Sequence, residues 1–325
     1  MKRFVQSEVG AAVIWMLCSV LMAAVISPWV FQAGRQFAAT TAAQDFPAFL
    51  ESLGASCRRA NFTRFFDRSL LFSALVLLPF LLRRIKTLRA ATETGSVVLW
   101  TRVPWKSAAA QVVIGCLIAG GMLWGAGIVL EQVGAYAPKA NAPALGKLLP
   151  QILIPAVAVS LLEECLFRGL LLGLWLRFAR PAAACLGTSL LFAFLHFLKP
   201  PVGTPHLYPA HALAGLQRLG NICLHFTDPL FFVTDFATLL GVGLILAWAR
   251  VRTGALWFSF GLHAGWIMAF KGFNSLYQKI PGHPLFPWGV GESLRSGILP
   301  LFTLGLTAVI CHFVLRRFAV ARNSP

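Results

Sequence analysis

Residues 152–175 read ILIPAVAVSLLEECLFRGLLLGLW, an apolar stretch interrupted by Glu163, Glu164 and Arg168. The stretch has the length and hydropathy of a membrane-spanning helix, which needs about 20 residues to cross the hydrocarbon core. An ionisable side chain at that depth costs about 2.5 to 3.5 kcal/mol on insertion scales. Charges in such a place indicate a function, so this segment is the first candidate for a site.

The composition of the whole chain supports a membrane protein. Of its 325 residues, 58% are hydrophobic and 12% charged, and the mean hydropathy is +0.73. A soluble globular protein of this size would need more polar residues to cover its surface. We therefore predict an all-α, polytopic bundle with about eight membrane helices. The predicted spans are 9–31, 67–83, 107–130, 150–176, 181–198, 229–250, 254–273 and 297–316.

Basic residues predict the orientation of these spans. The net charge is +17, yet the Lys and Arg residues cluster where spans end rather than on one soluble domain, so we expect no nucleic-acid partner. One side of the eight-span arrangement collects Lys2, Arg3, Arg83, Arg84, Lys86, Arg89, Arg102, Lys106, Arg177, Arg180, Arg250, Arg252, Arg316, Arg317 and Arg322. Because positive charge favours the cytoplasmic side, both termini are predicted to be cytoplasmic, in a bacterial inner membrane. The first span is too long for a convincing signal peptide and is expected to remain.

Cysteine usage and linker composition give two further expectations. The seven cysteines form no CxxC pair, so neither a disulfide framework nor a zinc knuckle is indicated. A Pro/Gly/Ala-rich stretch at 134–150 separates the first three spans from the rest. We predict a region 1–149 without an assigned motif and a core at 150–325 that carries the site.

Spacing brings a few polar residues of the core together. Glu164 and Arg168 lie four apart, so on a helix they can neutralise each other. Glu163 has no such cation. His196 lies about as far after the turn near Arg180 as Glu163 lies before it, which puts both at one depth of an antiparallel pair. His263 is expected to lie somewhat shallower.

Two related chemistries remain open for these groups. Glu163, His196 and His263 could hold a divalent cation such as zinc. Alternatively, Glu163 could act as a general base on water while a histidine stabilises an oxyanion, without metal. Both routes lead to amide hydrolysis. The HExxH and GxSxG motifs of soluble hydrolases are not in the sequence.

Three motifs resemble a known family. Glu163-Glu164-Cys-Leu-Phe-Arg168 matches EExxxR, Phe192-Ala-Phe-Leu-His196 matches FxxxH, and residues 261–267 resemble a final histidine motif. In this order they are similar to the CAAX prenyl endopeptidase and bacteriocin-processing (CPBP, Abi) intramembrane proteases. The resemblance implies catalytic roles for Glu163, His196 and His263, with Glu164 and Arg168 in support, and a membrane-associated peptide or protein as substrate.

The sequence departs from this family at one position. The family often has a polar residue four positions after the last histidine, where this chain has Ile267. A non-catalytic membrane factor on the same scaffold, serving envelope protein processing or bacteriocin immunity, is therefore one alternative. A small proton-relaying transporter is another. Outside the motifs, Asp235 is ambiguous, His312 is expected to be a packing or interfacial residue, and His206, His211, His225 and His283 are expected to be solvated.

Overall fold

The computed structural model describes residues 7–92, 102–177, 179–198, 208–209, 211–291 and 293–316, with the side chains of 89–92, 145 and 225 excepted. The helices are α1 Glu8–Ala43, α2 Ala48–Arg59, α3 Phe62–Thr92, α4 Trp105–Gln132, α5 Leu145–Glu163, α6 Pro181–His196, α7 Ala214–Cys223, α8 Pro229–Thr253, α9 Trp257–Leu276 and α10 Ile298–Leu315. Helix α5 continues through a π-helical segment, Glu164–Leu171, into a last turn, Leu172–Trp175. Helix α8 contains a shorter π turn, Phe232–Phe236.

The predicted all-α membrane fold is confirmed. A helix covers each predicted span in the described part of the chain, and five helices are long and apolar enough to cross a membrane: α1, α3, α4, α8 and α10. Helix α6 is apolar but shorter. The protein is therefore an integral, multi-pass membrane protein, whereas the count of eight spans stays a prediction.

Two short strands add a detail that hydropathy does not predict. Strand β1, Tyr136–Pro138, pairs antiparallel with β2, Tyr277–Lys279. The Lys139 ammonium donates to the carbonyl of Asn274 at 2.6 Å beside this pairing. The strands directly follow α4 and α9, so they tie the ends of these two helices together.

The chain packs as two compact units, which we describe separately. The first unit comprises Met1–Ser96 and His196–Thr227, and the second comprises Val97–Leu195 and Asp228–Pro325. The units are defined by packing, whereas the predicted division at residue 150 was defined by motifs and stays a prediction.

In the first unit, edge-to-face aromatic contacts and one arginine join α1, α2 and α3. Phe31 of α1 meets the rings of Phe62 and Phe65 edge-on, with centroids 5.8 and 5.3 Å apart. The Arg35 guanidinium donates to the carbonyls of Arg58 and Ala60 at 2.7 and 3.1 Å. Because these carbonyls lie at the end of α2, the arginine fixes the connection between α2 and α3 against α1.

In the second unit, α4 and α9 cross at backbone distance. A Cβ atom added at Gly261 would lie 2.3 Å from the carbonyl oxygen of Val112, and one added at Gly265 would lie 2.5 Å from that of Cys116. Small residues at such spacing allow helices in a membrane to approach closely. The two glycines flank His263 on α9, so this crossing fixes the depth and rotation of that histidine.

This crossing gives a first prediction. We expect Gly265→Ala to lower the thermal stability of the purified protein in detergent, since overpacking typically costs about 1 to 3 kcal/mol. Gly121→Ala on α4 is the matched control, because a Cβ there meets nothing within 4 Å. Alanine at that site should leave the melting temperature unchanged or raise it. Equal effects of the two changes would contradict the backbone contact.

Helices α8 and α9 form a hairpin. Gly254 ends α8 with a positive φ of 68°, and its N–H bonds back to the carbonyl of Arg250 at 3.0 Å. Glycine adopts this left-handed conformation without a Cβ penalty, which explains its place after Thr253. The predicted turn between α5 and α6 includes Phe178, which lies outside the described residues, but α6 begins at Pro181 as expected.

Candidate active site

The predicted pair of Glu164 and Arg168 is in contact. The Nη1 atom of Arg168 lies 3.2 Å from Oε1 of Glu164, and the two side chains are only 2% and 1% exposed. The pair belongs to the π segment of α5, whose presence the sequence did not indicate. π-helical turns are rare and are found frequently at functional sites. Two opposite charges are thus buried together where the helix is irregular.

Aromatic and backbone groups complete the surroundings of Arg168. Its Nη2 donates to the carbonyl of Gly243 on α8 at 3.3 Å. Its guanidinium carbon lies 4.4 Å from the centre of the Phe192 ring, a cation–π distance. Phe192 in turn meets the edge of Phe167 at 5.2 Å. Three helices therefore hold one guanidinium, and the first residue of the FxxxH motif is among its contacts.

His263 joins both glutamates of the EExxxR motif. Its Nδ1 lies 3.1 Å from Oε1 of Glu164, and its Nε2 lies 3.7 Å from Oε2 of Glu163. The first distance is that of a hydrogen bond, and the second is a looser electrostatic contact. Depth counting had predicted a shallower His263 without a certain contact. The α4–α9 crossing, which spacing cannot reveal, brings it to the glutamates.

Exposure separates the two carboxylates. The Glu163 side chain is 21% exposed, compared with 1% for Glu164. Glu164 contacts Arg168 and Nδ1 of His263. Glu163 lies near Nε2 of His263 and is the more exposed of the two acids. The two neighbours therefore differ in their surroundings, as two carboxylates with different roles would.

Ser259 is a site residue that sequence reasoning missed. It is fully buried on α9 one turn before His263, and its hydroxyl lies near the Glu164 carboxylate. That hydroxyl also lies 3.0 Å from the carbonyl of Leu256. The i−4 spacing from His263 was the available signal, because residues four apart share a helix face. Ile267, one turn on the other side of His263, is half-buried.

The remaining sequence candidates are described one by one. His196 is the last residue of α6 and is exposed. Its predicted place beside Glu163 stays a prediction. Asp235 lies 2.7 Å from the Thr234 hydroxyl. His312 stacks on Trp248 at 6.1 Å and accepts a bond from Arg316 at 3.0 Å, the packing arrangement that was expected.

Two other histidines contact backbone groups, and two lie outside the described residues or side chains. His211 accepts a hydrogen bond from the N–H of Leu213 at 3.2 Å, and His283 contacts the carbonyl of Val133 at 3.1 Å. His206 and the side chain of His225 lie outside the described residues. The cysteines of the described residues are free thiols, as their spacing predicted.

The donor set for a metal is small. Within the ranges that the structure describes, no group of three or more His, Cys, Asp or Glu side chains is arranged to hold an ion. Glu163 and Nε2 of His263 face each other and provide one oxygen and one nitrogen. A catalytic zinc typically has three protein ligands, and Glu163 and His263 would be two of them.

The core of the chain is similar to a known protein family. Residues 145–269 match a family model described as "Type II CAAX prenyl endopeptidase Rce1-like". The match extends from α5 into α9 and includes all three motifs, so it confirms the resemblance inferred from them. No curated protein and no solved structure matches the chain significantly.

Proposed function

We propose that this protein is an intramembrane endopeptidase that hydrolyses a peptide bond in a membrane-associated protein or peptide, as CAAX prenyl endopeptidases do. The observation that carries the proposal is the buried contact of His263 with both glutamates of the EExxxR motif. The Rce1-like match supports the reaction class. We place the protein in a bacterial inner membrane with both termini in the cytoplasm.

Charge balance suggests the resting state of the site. Glu163 and Glu164 carry two negative charges and Arg168 one positive charge, so one negative charge is left over when His263 is neutral. Uncompensated charge is expensive away from water. A further proton shared between Nε2 of His263 and Glu163 would make the group of four neutral. Nδ1 of His263 is then a donor to Glu164, which orients the ring.

The hydrolysis follows from these positions. Glu163 removes a proton from water, and the hydroxide attacks the peptide carbonyl carbon. The oxyanion accepts a hydrogen bond from Nε2–H of His263, and His196 is proposed as a second donor. When the tetrahedral intermediate collapses, the C–N bond breaks and the amine takes the proton from Glu163. The products are a new carboxylic acid and a new amine; transfer of the acid proton to the amine then gives a carboxylate and an ammonium ion, so atoms and charges balance.

Arg168, Glu164 and Ser259 act indirectly in this scheme. Arg168 pairs with Glu164, and Glu164 contacts Nδ1 of His263. Groups that fix a catalytic histidine in one tautomer contribute to rate without touching the substrate. We therefore assign these three to positioning.

A cleavage assay tests the proposed activity. The full-length protein is placed in liposomes with membrane-anchored peptides, prenylated and unmodified, in water enriched in oxygen-18. Mass spectrometry should find a shortened peptide whose new carboxylate carries one heavy oxygen, because the attacking oxygen comes from water. Intact peptides in every reaction would favour the non-catalytic alternative.

Whether cleavage depends on a metal ion can be tested with a chelator. Because the proposed scheme activates water through the Glu163 carboxylate, we expect cleavage to continue in the presence of a strong chelator such as 1,10-phenanthroline. A divalent ion bound at Glu163 and His263 would supply a Lewis acid and a more acidic water. Loss of activity in chelator, restored by added zinc, would establish that route.

Topology can be measured separately. Because basic residues concentrate on one predicted side, reporter fusions after Arg89 and after Pro325 should both report the cytoplasm. A periplasmic signal at either position would refute the predicted orientation and leave the chemistry of the site untouched.

One observation favours the non-catalytic alternative. At position 267, where the family often has a polar residue, the side chain is apolar and half-buried. If oxyanion stabilisation needs that polar group, the protein would bind a membrane peptide without cutting it. Ile267→Asn distinguishes the cases, since a gain of cleavage in that variant alone would show that the natural chain lacks one required donor.

A further inference from the structure

Arg218 is buried in the first unit and has no role in the proposed hydrolysis. It lies on α7, a short helix that packs against α1, where a Cβ at Gly215 would overlap the carbonyl of Ala24. Its side chain is 8% exposed. Few arginines are this buried without a partner for their charge.

One edge of the Arg218 guanidinium has no partner among the described residues. Nη1 donates to the Thr63 hydroxyl at 3.4 Å, and the guanidinium carbon lies 5.0 Å from the centre of the Phe66 ring. The buried Nε and Nη2 atoms have no hydrogen-bond acceptor in the described part of the chain. Nε and Nη2 form the edge that binds a phosphate or carboxylate through two parallel hydrogen bonds.

Asp67 does not satisfy this edge. Asp67 attracts Arg218 electrostatically, but the described residues include no ion pair between the two. Burial lowers the pKa of the Arg218 guanidinium, and the attraction of Asp67 opposes this only in part. Because Nε and Nη2 of this buried cation lack acceptors, we expect an additional anion to bind there.

The surface of α7 indicates where that anion comes from. Around the buried arginine, α7 and its flanking residues present leucines outward: Leu213, Leu216 and Leu224 are 54%, 41% and 45% exposed. A short helix with leucines on its outer face suits the boundary between head groups and acyl chains. Trp29, near the contact of α1 with α7, is 58% exposed, and tryptophan favours the same depth.

We propose that the first unit binds a phospholipid, whose phosphodiester oxygens accept hydrogen bonds from Nε and Nη2 of Arg218. The acyl chains lie along the exposed leucines of α7. This proposal does not rest on the proposed peptidase chemistry. An anionic head group such as that of phosphatidylglycerol is preferred, because it adds negative charge beside the guanidinium.

Lipid retention and thermal stability test this site. Full-length wild-type protein and the variants Arg218→Gln and Arg218→Lys are purified in detergent, and bound phospholipid is quantified by mass spectrometry. Exposed Arg64 on α3 provides the control variant, Arg64→Gln. Melting temperatures are then measured with added phosphatidylglycerol, with diacylglycerol, which has the same acyl chains without phosphate, and with inorganic phosphate.

The expected pattern is specific to the phosphodiester. Phosphatidylglycerol should raise the melting temperature of wild type and Arg64→Gln, while diacylglycerol and inorganic phosphate should not. Arg218→Gln should lose the shift and the retained lipid. Arg218→Lys keeps the charge without the two-donor edge, so it should bind about tenfold more weakly.

Several results would overturn the proposal. Wild-type protein that retains no phospholipid and gains no stability from phosphatidylglycerol refutes it whatever the variants do, including a variant that fails to fold. An equal shift with inorganic phosphate would assign the edge to a free anion, and an equal shift with diacylglycerol would assign it to acyl chains alone. If Arg218→Gln and Asp67→Asn are equally destabilising, non-additive and without effect on lipid, the arginine serves an internal ion pair.

Discussion

Glu163→Gln is expected to abolish peptide cleavage while the protein stays folded in the membrane. Glutamine keeps the shape of the side chain and loses the basicity that activates water, and general-base catalysis contributes about 10²- to 10⁴-fold. The substitution affects the looser, 3.7 Å contact between Glu163 and His263, so the buried hydrogen bond between Glu164 and His263 remains. Cleavage of membrane-anchored peptides, combined with melting in detergent, measures both outcomes.

His263 needs a more careful substitution than alanine. Because its Nδ1 bonds Glu164, His263→Ala would leave that buried acid with one partner fewer. His263→Asn keeps a donor near the position of Nδ1 and removes Nε2, so we expect a folded, inactive protein. His196→Ala is expected to be inactive as well. Combining Glu163→Gln with His263→Asn should add little further loss, since a centre that works as a unit is lost with any one member.

Continued processing of a substrate by the Glu163→Gln protein would contradict the peptidase proposal for that substrate. It would promote the non-catalytic factor, whose effect would not need the carboxylate. Glu51→Gln, at an exposed position of α2, is a matched control and should leave cleavage unchanged.

Arg168→Ala should have the largest effect on folding. The change leaves Glu164 buried with His263 as its remaining charge partner, and breaking a buried pair costs about 3 to 5 kcal/mol. It also removes the contact with Gly243 and the guanidinium over Phe192. The yield of folded protein, measured by size-exclusion chromatography in detergent, should fall sharply.

The double variant Glu164→Gln with Arg168→Gln provides the decisive comparison. It removes both charges together, so no buried ion is left unpaired, and its yield should exceed that of Arg168→Ala. Arg180→Gln, at an exposed position before α6, should express like wild type. Equal yields of the first two variants, or the reverse order, would argue against pairing.

Hydropathy and spacing predicted the local features of this molecule. Each predicted span corresponds to a helix because burial in lipid requires a continuous apolar segment, which is visible in the sequence. The pair of Glu164 and Arg168 could be predicted because residues four apart meet on a helix. The turn at Gly254 also depends on local sequence, since glycine follows the last residue of α8.

The sequence alone thus determined the helices, the membrane location of the protein and the motifs by which its core resembles a protease family. Tertiary structure decided which side chains meet. The 3.1 Å contact between Glu164 and His263 joins residues 99 positions apart and depends on the backbone crossing of α4 and α9. The π segment and the role of Ser259 likewise escaped prediction, because hydropathy does not fix helix rotation. Rotation is set by packing between helices, and no single helix carries that information.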